Sequence, residues 1–191
     1  MRGLNRFAAA VAAIDAANAQ DPTPVAVRGT VRPLALVHGQ LAAEWVGVLA
    51  PDVDPLVLLA ARAHHLRRWE LPRAQYDAGK AGYLRWKRDQ RQRHARDVGE
   101  LLAAVGYEAA EIEHVRAMVL RQGPGGQLVE DAACLVFIET QLAAVATQLD
   151  HHRLIEVIRK TAKKMSPEAL AAVSGIALGE AEQSLLAAAL A

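Results

Sequence analysis

Four histidines and one aspartate hold positions that could carry chemistry inside the protein. Three of these five residues lie at helical spacing on apolar stripes: His38 with Leu34, Leu41, Trp45 and Val48, His94 with Val98, Leu101 and Val105, and Asp131 with Leu135, Ile138 and Leu142. The other two, His64 and His65, end an apolar segment that is typical of a central helix. An ionisable group that points into a core needs a partner or a metal ion.

Imidazole and carboxylate side chains from separate helices are ligands for borderline metals, and helical bundles commonly assemble such sites in their interior. We therefore predict a divalent transition metal cofactor, with Fe, Mn, Zn and Co all open, whose ligands are His38, His64, His65 and Asp131. His94 and Glu70 are the predicted catalytic residues. The alternative is that these histidines are hydrogen-bonded core residues that bind no metal.

A strongly basic segment surrounds the histidines in sequence. Residues 62 to 96 contain eleven Lys or Arg, half of the 22 in the chain, and only three Asp or Glu, although the formal net charge is +1. Guanidinium groups suit phosphate and carboxylate, so we predict a small anionic substrate. The predicted substrate-binding residues are Arg67, Arg68, Arg73, Lys80 and Trp69. The alternative is a solvated helical face.

The elements that must position these residues are predicted to be helices. The chain has 191 residues, 52% of them apolar and only 4% aromatic, which favours one all-α domain. We expect a bundle of about seven to nine helices, with an N-terminal helix and an extended strap over residues 1–32, a core bundle over 33–149 and C-terminal helices over 150–191.

Pro and Gly residues indicate where the individual helices begin and end. We predict helices over residues 4–18, 33–49, 52–69, 81–105, 108–121, 128–148 and 153–164, then two short helices, and a turn at 123–126. The single Cys134 cannot form an internal disulfide, and no apolar stretch is long enough to span a bilayer. These features favour a cytoplasmic protein without membrane association, and oligomeric state is left open.

The order His38, His64-His65, His94 and then Asp131 resembles that of the HD-domain superfamily, whose pattern is a His, a His-Asp pair and a final Asp. His65 stands where that superfamily has Asp, and a further His expected after the fourth helix is missing. The resemblance implies an HD-like helical fold and metal-dependent hydrolysis of a phosphate ester or a nucleotide-like anion.

Over nearly its whole length the chain more closely resembles the domain-of-unknown-function family 4202. The stretches that carry this resemblance are Ile14-Asp15-Ala16-Ala17-Asn18, Asp21-Pro22, Ala61-Arg62-Ala63, His65 with Arg67-Arg68-Trp69-Glu70, Pro72-Arg73, Ala81-Gly82-Tyr83-Leu84, Trp86, His94-Ala95, Val105-Gly106-Tyr107, Glu130-Asp131-Ala132, Cys134-Leu135-Val136-Phe137 and Lys164-Met165-Ser166. This resemblance implies no particular activity.

Two other functions remain open at this point. An HD-type iron-dependent oxygenase would need Glu130, Glu139 or Glu70 to replace the absent bridging Asp. A non-catalytic module would use the basic segment to bind an anion, a nucleotide or RNA, with the histidines purely structural; a nucleic-acid partner is possible but not favoured.

Overall fold

Ten α-helices account for most of the chain that the structure, a computed structural model, describes, namely residues 2–190 with side chains from residue 5 onward. They are α1 (Arg2–Asn18), α2 (Leu34–Leu49), α3 (Pro55–Arg62), α4 (Gly79–Ala104), α5 (Ala109–Val119), α6 (Gly123–Thr140), α7 (Leu142–Ala146), α8 (His151–Ala162), α9 (Pro167–Ala172) and α10 (Glu180–Leu190). The predicted all-α bundle is confirmed.

Helices α2, α3 and α6 form the centre of the bundle, with α1, α4 and α5 packed around them. Small residues allow the close approach, since Ala42, Ala60 and Ala61 are fully buried. Gly39 of α2 lies so close to α3 that a Cβ atom would stand 2.4 Å from the carbonyl oxygen of Arg62. The end of α3 is therefore held firmly against the helix that carries His38.

A second apolar cluster joins α6 to the C-terminal helices. It includes Leu135 and Leu142 from the α6–α7 region, Leu154 and Ile158 from α8 and Leu186 from α10, all buried. Because α6 contributes to both clusters, it fixes α8 opposite α4. The space between α4, α6 and α8 becomes the site described below.

The predicted extended strap contains a two-stranded hairpin. Two short antiparallel strands, β1 (Pro24–Val27) and β2 (Thr30–Pro33), pair with Val25 opposite Arg32. Arg28 and Gly29 between them both have positive φ, at 50° and 78°. Consecutive positive φ values give the type I′ turn that matches the twist of a two-residue hairpin.

Helix α3 ends at Arg62, seven residues earlier than predicted. The chain then makes tight turns through His64 and His65, and Arg67 adopts a left-handed conformation with φ 50° before a short 3₁₀ helix at Arg68–Glu70. Both histidines of the pair thus lie in a turn beyond the helix, a geometry that apolar periodicity does not reveal.

The glycine-rich turn predicted at residues 123–126 is instead the first turn of α6. Gly123 supplies a positive φ of 69°, and Pro124 follows in the first helical turn, where its missing N–H costs nothing. The helix predicted over residues 128–148 is broken at Gln141, which separates α6 from α7.

Within residues 2–190, no helix has both the length and the apolar character that crossing a bilayer requires.

Candidate functional site

A cavity of about 740 Å³ lies between α4, α6, α8 and the turn that follows α3. Three histidines form part of its wall, His64 and His65 from the turn and His94 from α4. We call this space the histidine cavity. Its volume is in the range of pockets that bind small molecules.

His64 and His94 are held in the same way. Nδ1 of His64 lies 2.8 Å from the carbonyl oxygen of Ala61, and Nδ1 of His94 lies 2.7 Å from that of Leu66. A carbonyl oxygen only accepts, so each Nδ1 carries the hydrogen and each Nε2 carries a lone pair. Both Nε2 atoms are buried and have no hydrogen-bond partner among the described residues.

A chain of hydrogen bonds fixes the third histidine. The Thr140 hydroxyl donates to the Val136 carbonyl at 2.7 Å, so its oxygen accepts from Nε2 of His38 at 3.1 Å. Nδ1 of His38 is then unprotonated and accepts from Nδ1 of His65 at 3.2 Å. His65 consequently also keeps its lone pair on Nε2.

Burial keeps these imidazoles neutral. Desolvation lowers the pKa of His38 to about 4 and that of His94 to about 3, and it lowers the pKa of His64 and His65 well below the ordinary value. At neutral pH the cavity therefore presents three uncharged imidazoles, on His64, His65 and His94, that can accept a hydrogen bond or bind a metal.

Arg68 lines the cavity with an unmatched charge. Its guanidinium carbon lies 4.7 Å from the ring centre of Trp86, and within the described residues its side chain donates no hydrogen bond and forms no ion pair. Burial lowers the pKa of Arg68, because its charge is poorly hydrated, although guanidinium stays protonated at neutral pH. A partly buried guanidinium with no anionic neighbour is a suitable contact for a bound anion.

On the opposite wall of the cavity, three basic side chains lie close to one carboxylate. Glu130 of α6 lies 2.6 Å from Arg121, 3.0 Å from Arg91 and 3.8 Å from Lys164. Burial raises the pKa of Glu130, but these three cations outweigh that effect and hold the pKa below its usual value. Glu130 is therefore ionised and compensates only part of the positive charge around it.

The cavity wall as a whole is strongly cationic. Seven basic side chains line it, against the one carboxylate of Glu130: Arg68, Lys87, Arg91, Arg121, Lys160, Lys163 and Lys164. Tyr83, Trp86 and Phe137 add aromatic surface. The arrangement can hold a phosphate or carboxylate group attached to a larger apolar or planar body.

A family model described as Domain of unknown function (DUF4202) matches residues 8–186. The chain belongs to this family. No curated protein and no solved structure matches the chain. The relation to HD domains stays a prediction, because the family match does not address it.

The predicted metal ligands of this DUF4202 protein are only partly brought together. His64 and His65 line the histidine cavity, whereas His38 lines a smaller neighbouring cavity of about 270 Å³ and touches the first only through its bond to His65. Asp131 is buried but does not line the histidine cavity. Its Oδ1 accepts from the Gln127 side chain and from the backbone amide of Ser166, each at 2.9 Å.

The four predicted ligands do not line one common cavity. Asp131 accepts a hydrogen bond from Ser166 in the C-terminal segment. The two ring nitrogens of His38 form hydrogen bonds with Thr140 and His65. Among residues whose side chains are described, no three His, Cys, Asp or Glu are already spaced to hold a metal ion.

The predicted catalytic and substrate-binding residues also lie in different places: some line a cavity and others do not. His94 and Arg68 line the histidine cavity, and Trp69 lines the smaller one. Glu70 instead pairs with Arg93, and Arg73 braces its own loop by donating to the carbonyl oxygens of Tyr76 and Asp77.

Neither Arg67 nor Lys80 lines the histidine cavity. The Arg67 backbone amide donates to Asn18, and Lys80 is exposed at the start of α4. Of the five predicted substrate-binding residues, Arg68 is thus the only one that faces the histidine cavity.

Sequence reasoning missed the contribution of α8. Val157, Lys160 and Thr161 follow the i, i+3, i+4 spacing of one face of α8, and Lys164, two residues after the helix ends, continues that spacing; all four line the cavity. This spacing was readable in the sequence, but only the fold shows that the face lies opposite His94. The Arg121–Glu130 ion pair was not predicted either. Helix α6 begins at Gly123, between the two residues, where the sequence indicated a turn.

Proposed function

We propose that this DUF4202 protein binds a phosphate-bearing small molecule of about nucleotide size in the histidine cavity. The observation that carries the proposal is the partly buried guanidinium of Arg68, which lies against the Trp86 ring and has no anionic partner among the described residues. A bound phosphate would supply that partner with charge-assisted hydrogen bonds.

The other cations support a phosphate rather than a neutral ligand. Glu130 is shared by Arg91, Arg121 and Lys164, and within the described residues neither Lys87 nor Lys163 forms an ion pair. A wall with this excess of positive charge repels cations and attracts a multiply charged anion. Inorganic phosphate alone would leave much of the 740 Å³ empty.

The aromatic lining favours a ligand with a planar group. Tyr83 is 45% exposed and its ring centre lies 5.8 Å from that of Trp86. A nucleobase or similar ring could stack on Tyr83 while its phosphate reaches Arg68. A nucleoside monophosphate is therefore a suitable probe.

Titration calorimetry with adenosine monophosphate in the presence of a chelator tests the proposal. Arg68→Gln should weaken binding about 10- to 100-fold, since a hydrogen bond to a charged group contributes about 1.5–3 kcal/mol. Arg88→Gln is the matched control, because Arg88 lies on α4, is exposed and does not line the cavity. Equal affinities in both variants would contradict the proposal.

Metal-dependent hydrolysis of the bound phosphate ester is the second candidate. Three neutral imidazoles lie in the cavity that would hold the phosphate, and such a combination suits hydrolytic chemistry. Release of inorganic phosphate from a phosphate ester, measured with Mn²⁺, Co²⁺ or Zn²⁺ added, tests it. Turnover that is equal in the wild type and in His94→Gln would count against this candidate.

A further inference from the structure

Three imidazole nitrogens in the histidine cavity have lone pairs and no assigned role. Nε2 of His64 and Nε2 of His94 are buried and unpartnered within the described part of the chain, and the hydrogen-bond chain through His38 leaves Nε2 of His65 unprotonated. Gln90 adds a fourth acceptor, because its Nε2 donates to the carbonyls of Arg68 and Leu71 and its buried Oε1 has no partner.

A phosphate ligand does not satisfy these atoms. Phosphate oxygens at neutral pH accept hydrogen bonds, as do the three histidine nitrogens and the Gln90 oxygen. Buried acceptors that are left unpaired cost free energy. A metal ion accepts lone pairs and would satisfy the three imidazole nitrogens together.

We propose that His64, His65 and His94 bind a single borderline divalent metal ion through their Nε2 atoms. Each ring already has the outer contact that is characteristic of metal-binding histidines, an Nδ1–H donated to a carbonyl or to another fixed acceptor. These contacts select the tautomer that leaves Nε2 available. Imidazole ligands suit Zn²⁺, Co²⁺ and Fe²⁺.

The three rings are neighbours in space. The centroid of the His65 ring lies 4.0 Å from that of His64 and 6.1 Å from that of His94. Binding requires the rings to rotate toward a common point, because no three described ligand side chains are yet at metal spacing. This set differs from the one predicted from sequence, since it includes His94 and excludes His38 and Asp131.

The surrounding cations couple the metal to the anion. Neutral imidazoles add no negative charge, so the basic wall of the cavity weakens metal binding, and a bound anion offsets that repulsion. Bound metal and bound anion should consequently strengthen each other by the same factor. This coupling rests on the proposed function, whereas the metal site itself does not.

Titration with Co²⁺ in phosphate-free buffer tests the site directly. The wild type should bind one equivalent and develop visible ligand-field absorption, and His94→Gln should lose most of the affinity. Asp131→Asn should retain it, because Asp131 bonds to Gln127 and Ser166 instead of the cavity. His114→Gln, at an exposed position, controls for loss of any histidine.

Paramagnetic proton NMR of the Co²⁺-loaded wild type gives a second test that needs no variant to fold. Three strongly shifted, solvent-exchangeable signals should appear, one for each Nδ1–H of a histidine bound through Nε2. Two or fewer such signals, no bound Co²⁺, or loss of Co²⁺ in Asp131→Asn but not in His94→Gln would each overturn the proposal.

Repeating the Co²⁺ titration with sodium sulfate, against sodium chloride at equal ionic strength, tests the coupling separately. Tighter Co²⁺ binding in sulfate is the expected result. Unchanged affinity would overturn the coupling while leaving the three-histidine site standing. Failure of adenosine monophosphate to bind in chelator would instead reject the proposed function.

Discussion

Asp131 shows how one buried carboxylate can serve structure instead of chemistry. Its Oδ1 receives the backbone amide of Ser166, the residue that caps α9, and so ties α6 to the C-terminal helices. The side chain is only 1% exposed, so removing it leaves these donors without an acceptor.

We predict that Asp131→Ala lowers the free energy of unfolding by about 1–3 kcal/mol, the cost of leaving buried hydrogen-bond donors unpaired. Urea unfolding monitored by circular dichroism measures this effect. Asp131→Asn should lose less, because its amide oxygen can still accept from Ser166. A folded Asp131→Ala protein that keeps wild-type stability but loses adenosine monophosphate affinity would place Asp131 at the site after all.

The sequence predicted the inward orientation of His38, His94 and Asp131 correctly, since all three are buried. It could not predict which side of the core each one faces. Asp131 turns toward Ser166, and the positions of His64 and His65 depend on the left-handed backbone at Arg67. Hydrophobic periodicity in the sequence predicts neither the direction of the Asp131 side chain nor the left-handed backbone at Arg67. Val48, assigned to the same stripe as His38, is 63% exposed.

At the scale of elements, the contact between α2 and α3 decides where the histidines lie. Gly39 follows His38 directly and touches the carbonyl of Arg62, two residues before His64. Any side chain at position 39 would push the end of α3 away from α2. The distance between His38 and His65 would then grow.

We therefore predict that Gly39→Ala destabilises the protein by about 1–3 kcal/mol through overpacking. Gly47→Ala on the same helix is the control, because a Cβ there meets nothing within 4 Å. That change should stabilise by about 0.5–1 kcal/mol, as Ala replaces Gly in a helix. Thermal unfolding of the two variants compares them, and equal destabilisation would argue against the close contact.

Helix boundaries were predictable where an apolar stripe agrees with a flanking Pro or Gly, as at Pro33 before α2 and Gly106 after α4, and the ends of these helices differ from prediction by two residues or fewer. The predictions failed where tertiary packing overrides a local signal. Gly123 to Gly126 read as a turn, yet a Cβ at Gly125 would meet the Met118 side chain at 2.4 Å, so glycine serves close packing there. The strap became a hairpin because two residues with positive φ join its strands.

At the scale of the whole molecule, charge is distributed unevenly. The chain has a formal net charge of only +1, but seven cations and one carboxylate line a single cavity. Composition alone could not reveal this, because four of these seven cations come from Arg121, α8 and the segment after α8, far in sequence from the basic segment at residues 62–96.

The buried histidines make stability depend on pH. The pKa of His38 is about 4 in the folded protein and about 6.5 when unfolded, so only the unfolded chain takes up this proton between those values. Stability that is present above pH 6.5 is thus lost as pH falls toward 4.

For metal-free protein in chelator, we predict that His38 contributes about 2 kcal/mol of lost stability between about pH 7.5 and about pH 5, with further loss from the other buried histidines. Urea unfolding across this range measures it. His38→Gln should flatten the dependence, and His114→Gln should not, because His114 is exposed. An unchanged slope in His38→Gln would mean that His38 is already protonated or exposed.

The central claim is that Arg68 is the phosphate contact, and side-chain NMR of ¹⁵N-arginine-labelled protein tests it most directly. The Arg68 Nε–H signal is assigned from its absence in Arg68→Lys and followed as adenosine monophosphate is added in chelator. We expect a saturable shift of this signal, with the exposed Arg153 signal unchanged. Binding that leaves the Arg68 signal in place, or no binding at all, would contradict it.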